Sequence, residues 1–229
     1  MALLLNIDTA TEVASVCVSL NGISIAFEEN QHQREHASFV HAAIASVLKE
    51  AGYTLNDIEA FAVTSGPGSY TGLRVGMATA KGFCYALTKP FIMVNTLEVM
   101  AKAALQTGST ISNTDLLCPM IEARRMEVFT ALYNTDLKNI LSPQPLILEE
   151  ESFTRFMIER RIVFFGSGSI KFKAIMVNQN GVFVSVDHNA THLGMLADKA
   201  FEEKIFFDLP YSQPTYFKDF QSTQKAKKE

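Results

Sequence analysis

The sequence predicts an α/β protein of two similar lobes, each built in the order βββαβαβα. Three observations carry this. Short apolar runs of strand length alternate with longer stretches whose apolar residues fall at helical spacing. The order of elements in the first half returns in the second, without repeating residue identities. The chain has 229 residues, 48% of them hydrophobic, enough for one large domain or two small lobes. The repeated order favours two lobes with a cleft between them.

In the first half, Leu3–Ile7 is an apolar run of strand length. Ala14–Leu20 and Ile23–Phe27 flank Asn21-Gly22, a dipeptide that tolerates positive φ at both central turn positions and so predicts a hairpin. From His36 to Ala51 the residues Phe39, Val40, Ala43, Ile44, Val47 and Leu48 fall at helical spacing, and Gly52 supplies the stop. Ile58–Thr64 reads as a strand, Thr71–Leu87 as a helix and Phe91–Val94 as a strand. Asn95-Thr96-Leu97-Glu98 resembles a capping box and opens another helix.

The second half repeats the order. Leu116–Ile121, Val128–Tyr133 and Pro145–Leu148 read as strands, Glu150–Glu159 as a helix and Ile162–Phe165 as a strand. Ser169–Val177 is expected to be helical, Val182–Val186 extended and Thr191–Lys204 helical. The expected division is a first lobe over 1–106, a smaller second lobe over 107–220, and a polar, disordered tail over 221–229.

The balance of 20 basic and 24 acidic residues gives a net charge of −4. That is no electrostatic footprint for gripping nucleic acid unaided. Cys17, Cys84 and Cys118 are far apart in sequence, and each sits in an apolar run, as reduced core residues of a cytoplasmic protein do. The first eight residues lack a basic segment and reach Asp8, which reads as a strand and not a signal peptide. No apolar run reaches the roughly 18 residues of a membrane helix.

Ser65–Gly72 holds three glycines and a proline between a buried strand and a helix. Such a segment is either an anion cradle, with backbone N–H groups and a helix dipole facing a phosphate, or a tight turn whose glycines allow close packing. It matches neither standard phosphate-loop pattern. In the following helix Gly72, Gly76 and Ala80 lie four apart, as do Ala78, Gly82 and Ala86. Ala37, His41 and Ala45 form a similar row in the helix from His36. Helices with one large-apolar and one small-residue face can be buried on both sides, against their own sheet and against a partner chain or another part of the lobe.

These residues resemble the TsaB family. The matching pieces are Leu5-Asn6-Ile7-Asp8-Thr9-Ala10-Thr11, His36 at a helix start, Ser65-Gly66-Pro67-Gly68-Ser69-Tyr70-Thr71-Gly72-Leu73-Arg74-Val75-Gly76, Ala80-Lys81-Gly82, Asn95-Thr96-Leu97-Glu98 and Glu122-Ala123-Arg124-Arg125-Met126-Glu127-Val128-Phe129. Tyr216-Phe217-Lys218 is a weaker match, and 137–187 resembles the family least. Glu122 and Tyr70 depart from the usual Asp and Phe. The resemblance implies an actin-like fold (the ASKHA class of sugar kinases and heat-shock ATPases, with a ribonuclease H-like motif in each lobe). It also implies a non-catalytic role beside a TsaD-like subunit that places a threonylcarbamoyl group on adenosine 37 of tRNAs reading ANN codons. A TsaE-like ATPase joins them, and the chain alone forms a homodimer through first-lobe helices. ATP or ADP and metal are then expected in the partners or at the complex interface, none being the chain's own, and tRNA is met only indirectly, away from any membrane.

Two other readings stand beside this one, an ATP-using enzyme of actin-like fold and a metallopeptidase. For nucleotide the candidates are Asp8, Thr9, Gly66, Gly68, Ser69 and Thr71, with Ala10 standing where a phosphate loop would have glycine. Gly166-Ser167-Gly168 is a weaker candidate in the second lobe. The metal reading lacks a His-x-x-x-His pair after the glycine segment. His32 and His36 precede it without the His-Glu-x-x-His pattern, and His188 and His192 are expected to cap the last helix. No serine elbow or activated cysteine stands out, so no catalytic residue is assigned. Glu122, Arg124, Arg125 and Glu127 form either a self-tying charged hairpin or a contact site, and Lys225, Lys227 and Lys228 read as a solvated tail. The partner interface is expected at His36, Val40, His41, Ile44, Arg74, Gly76, Met77, Ala80 and Lys81. Ala80→Arg or Gly76→Leu is expected to abolish association and leave the fold intact.

Overall fold

The computed structural model describes residues 2–31, 36–107, 111–177 and 179–217. His32, Lys218 and the tail 221–229, named above, lie outside the described residues. The elements run β1 (Leu3–Asp8), β2 (Ala14–Leu20), β3 (Ile23–Asn30), α1 (His36–Ala51), β4 (Ala60–Thr64), α2 (Tyr70–Leu87), β5 (Phe91–Val94) and α3 (Thr96–Ala104). The second half runs β6 (Leu116–Glu122), β7 (Glu127–Tyr133), β8 (Asn139–Ile147), α4 (Thr154–Met157), β9 (Ile162–Phe165), α5 (Ser169–Ile175), β10 (Gly181–Phe183) and α6 (Ala190–Glu202). Both halves are βββαβαβα, and the sheets are β3-β2-β1-β4-β5 and β8-β7-β6-β9-β10, one topology used twice.

In each sheet the first strand is central, antiparallel to the second and parallel to the fourth: β1 pairs with β2 from Leu3↔Leu20 to Asp8↔Ser15, and with β4 from Leu4↔Ala60 to Ile7↔Val63. β1 is buried along its whole length because helices cover both faces, as parallel pairing in an α/β sheet requires. Leu3, Leu5 and Ile7 face Val40, Ile44, Met77 and Ala80 of α1 and α2. Ala2 and Leu4 face Leu193 and Ala197 of α6.

The last helix of each half crosses over. α3 packs its Leu97, Met100 and Ala104 on Leu117, Ile121 and Val163 of the second sheet. α6 packs on the first sheet, and α3 and α6 touch each other. The layers are therefore α1 and α2, first sheet, α3 and α6, second sheet, α4 and α5. Phe153, Phe164, Phe172 and Phe183 cluster in the outer layer of the second lobe, with Phe153 and Phe172 edge to face with Phe164 and Phe183 stacked on it.

The element boundaries differ from the sequence expectation in the second half. β8 starts at Asn139, not Pro145, because an edge strand tolerates Pro143 and Pro145. α4 is one turn, Thr154–Met157, not Glu150–Glu159; Phe153 before it takes a left-handed φ of 68°. β10 is Gly181–Phe183, shorter than Val182–Val186.

Candidate functional site

The first-lobe loops meet at the end of β1. Asp8 is buried, and its Oδ1 accepts from the Ala10 N–H at 3.1 Å and the Thr64 hydroxyl at 2.9 Å. Its Oδ2 faces His188 Nε2 at 3.6 Å. Thr9 donates its hydroxyl to the Gly72 carbonyl at 2.8 Å. The Ser69 N–H donates to the Ala10 carbonyl at 2.6 Å, and the Ser69 hydroxyl caps α2 by accepting from the Gly72 N–H.

These contacts show how closely the glycine segment is packed. A Cβ on Gly68 would stand 2.1 Å from the Ala10 carbonyl oxygen, and one on Gly76 would stand 2.4 Å from Thr9 Oγ1. The glycines let loop 9–10 lie directly on the segment. A phosphate cradle needs free N–H groups. Here carbonyl oxygens line the close approach, the N–H groups of Gly66, Ser69 and Gly72 are already used, and the Asp8 carboxylate is sealed. These residues do not fit a phosphate or a hydrated metal. Of the six nucleotide candidates, Asp8, Thr9 and Gly66 are buried, Gly68 is packed, Ser69 is a helix cap, and Thr71 is exposed. Among the described residues no group of three or more His, Cys, Asp or Glu could hold a metal ion.

His192 caps α6, as expected: its Nδ1 accepts from the Asn189 N–H at 3.2 Å, while Asn189 Oδ1 accepts from the Thr191 N–H. Burial first, then the neighbouring His188, hold the His192 imidazole below its usual range. His188 takes no part in the cap and is directed at Asp8 instead. Burial pushes the Cys17 thiol up to about 11 and that of Cys84 to about 12, which leaves both unreactive.

Lys171 ties the charged hairpin between β6 and β7. Its Nζ lies 2.9 Å from Glu122 and donates to the Ala123 and Arg125 carbonyls. Ser167 accepts from the Glu122 N–H, and Arg125 has a left-handed φ of 59°. Gly166, Ser167 and Lys173 of the second-lobe Gly-x-Gly region border a 490 Å³ cavity with Phe183 and Asp187.

On α1 and α2 the structure separates the two faces and corrects which residues face out. Val40, Ile44, Met77 and Ala80 belong to the first-lobe core, and Gly76 is pressed against Thr9. Gly76→Leu and Ala80→Arg would therefore disrupt the fold, contrary to the expectation above. Helical spacing gives the period of burial but not which of two small-residue rows turns inward. The row Gly72-Gly76-Ala80 turns in; the row Ala78-Gly82-Ala86 turns out, as do Ala37, His41 and Ala45 on α1. Tyr85 beside the outer row is 84% exposed, and a Cβ on Gly82 would meet nothing within 4 Å. His36 opens α1.

Arg74 and Lys81 are engaged by the chain's own C-terminal segment. Arg74 Nε donates to the Tyr216 hydroxyl at 3.1 Å with its guanidinium 4.0 Å over the Tyr70 ring. Lys81 Nζ donates to the Ser212 carbonyl at 2.9 Å. The sequence resemblance at Tyr216 gave no sign of this contact, because the two partners are far apart in the chain.

The model of the family described as TsaD, tRNA N6-adenosine threonylcarbamoyltransferase, matches residues 27–206. The tRNA threonylcarbamoyladenosine biosynthesis protein TsaB of Escherichia coli strain K12 is 37% identical over 137 residues, 60% of this chain and 57% of that protein. The chain thus spans little more than half of that relative. The TsaB protein of Bacillus subtilis strain 168 is 26% identical over 94% of this chain and 93% of its own length. A Pseudomonas aeruginosa structure described as similar to peptidase YeaZ superposes with a TM-score of 0.84 at 24% identity, covering 95% of this chain and all of that one. It shows the fold, two actin-like lobes. The chain belongs to the family that the TsaD model describes, and within it to the TsaB/YeaZ proteins.

Proposed function

We propose that this chain is a non-catalytic partner that binds a TsaD-like threonylcarbamoyltransferase and holds it in its active arrangement, in the formation of threonylcarbamoyladenosine at position 37 of tRNAs reading ANN codons. The observation that carries this reading is the outward small-residue surface of α1 and α2, Ala37, His41, Ala45, Ala78, Gly82 and Ala86. A helix pair with so little side-chain bulk lets a second helix pair approach closely. The inward rows already serve the lobe's own core, while the outward rows are exposed among the described residues.

The first-lobe nucleotide region supports the same reading from the other side. Asp8 is sealed by Thr64, Ala10 and His188, and the glycine segment is filled by loop 9–10. The chain contributes docking energy and not chemistry, a population shift of the partner toward its competent state. Nucleotide and metal then belong to the partners or their interface: a TsaD-like transferase and a TsaE-like ATPase. Alone, the chain uses the same helices to form a homodimer. It works in the cytoplasm and meets tRNA through its partners.

Reconstitution with the organism's TsaD-like and TsaE-like proteins tests this. The modification should rise at least tenfold when the chain is added. Full activity in its absence would remove the proposed role.

A further inference from the structure

After α6 the chain turns around the edge of the first sheet. The Phe207 N–H donates to the Phe91 carbonyl at 2.8 Å, on the open edge of β5. Leu209 then packs into the first-lobe core. From there the segment runs back along α2, past Lys81 at Ser212 and Arg74 at Tyr216. At Thr215 its N–H donates to the Ser65 carbonyl at 2.7 Å. The Thr215 carbonyl lies so close to Gly66 that a Cβ there would stand 2.9 Å from it.

Two adjacent residues then reach different lobes. The Tyr216 ring lies 5.3 Å from Tyr70, at the start of α2 in the first lobe. The Phe217 ring lies 5.8 Å from Phe129, on β7 of the second sheet. The first-lobe contact lies at the surface: Tyr216 is 39% exposed, and the hydrogen bonds from Arg74 and Lys81 are at or near the surface, while Phe217 is half-buried on Phe129. The segment is attached at several points, each individually weak.

We propose that residues 208–217 form a releasable clasp that sets the angle between the lobes, with Tyr216 as its first-lobe anchor and Phe217 as its second-lobe anchor. The α3 and α6 layer joins the lobes at their centre; the clasp joins them again at the mouth, over the glycine segment. Because one short segment holds both anchors, loosening either loosens the other. The start of α2 and strand β7 are thereby coupled through the segment. Whatever draws Arg74 or Tyr70 away from Tyr216 also frees β7 from Phe217.

Hydrogen exchange on the isolated chain tests this without any partner, so its outcome is independent of the proposed function. Tyr216→Ala should accelerate exchange at least fivefold in β7, the strand that Phe217 contacts, as well as at 65–71. Phe217→Ala should do the same at 65–71. Arg74→Gln, which leaves both rings in place, should give a smaller effect of the same pattern. Circular dichroism should remain native for all three. Acceleration confined to the lobe each side chain touches, or to the segment alone, would overturn the clasp.

Discussion

His188 Nε2 stands 3.6 Å from Asp8 Oδ2, with both side chains closed to solvent. Asp8 ends the central strand of the first lobe, and His188 precedes the helix that returns from the second lobe to cover it. The contact turns a carboxylate that could have faced a ligand into a structural member. Asp8→Ala should lose the hydrogen bonds to Ala10 and Thr64 and cost about 2 kcal/mol, a fall in Tm of about 4–8 °C. ATP turnover by the isolated chain should be at background before and after the change. Steady turnover that disappears in Asp8→Ala would restore the ATPase reading.

The glycines of the first lobe should divide by which side they face. Gly68→Ala drives a methyl into the Ala10 carbonyl and should cost about 3 kcal/mol or more. Gly82→Ala, on the open face of the same helix, should be stabilising by about 0.5–1 kcal/mol, because alanine restricts the unfolded chain and favours the helix. Urea melts of the two variants make the comparison; equal effects would mean that the faces are wrongly assigned.

The cap on α6 carries a pH dependence. His192 must be neutral at Nδ1 to accept the Asn189 N–H, and burial followed by His188 lowers its pKa in the fold. A depressed folded value gives stability that is present above the unfolded pKa of 6.5 and is lost as pH falls through the folded one. His192→Gln keeps an acceptor at that helix position and should flatten stability below pH 6.5. His192→Ala should cost about 1 kcal/mol at neutral pH. Thermal melts across that range decide it; an unchanged pH profile in His192→Gln would exclude His192 as the source.

Asp115 and Arg161 join the start of β6 to the start of β9 through a paired contact, Nε to Oδ1 at 3.0 Å and Nη2 to Oδ2 at 2.5 Å. Burial pushes the Asp115 carboxyl up, but Arg161 and the Ser112 N–H outweigh it and the net shift is downward. The contribution is present above the unfolded value of 3.8 and is lost as pH falls through the folded one. Asp115→Asn should cost about 2 kcal/mol at pH 7, and its difference from the parent should shrink on acidification. A difference that stays constant down to pH 3 would argue against the ion pair.

Strand and helix order were legible because the periods are strong. β9 is an unbroken apolar run, β4 is apolar up to Thr64, β1 is interrupted by Asn6 before it ends at Asp8, and Asn21-Gly22 sets its hairpin. β8 was harder to bound, since Pro143 and Pro145 look like breaks until the strand is known to be an edge. The inward and outward rows of α2 have nearly the same composition, so sequence alone could not rank Gly76 below Gly82. Asp8 with His188, and Arg74 with Tyr216, depend on topology that brings distant segments together, and local pattern carries no trace of either.

The outward rows of α1 and α2 are the centre of the account, and Ala78→Arg tests them most directly. Ala78 is exposed in the single chain, so the change should alter its stability by less than about 0.5 kcal/mol. Sedimentation of the variant, alone and with the TsaD-like partner, should then show neither homodimer nor heterodimer, with the added modification activity lost in parallel. A stable Ala78→Arg chain that still associates and stimulates its partner as the parent does would contradict the account.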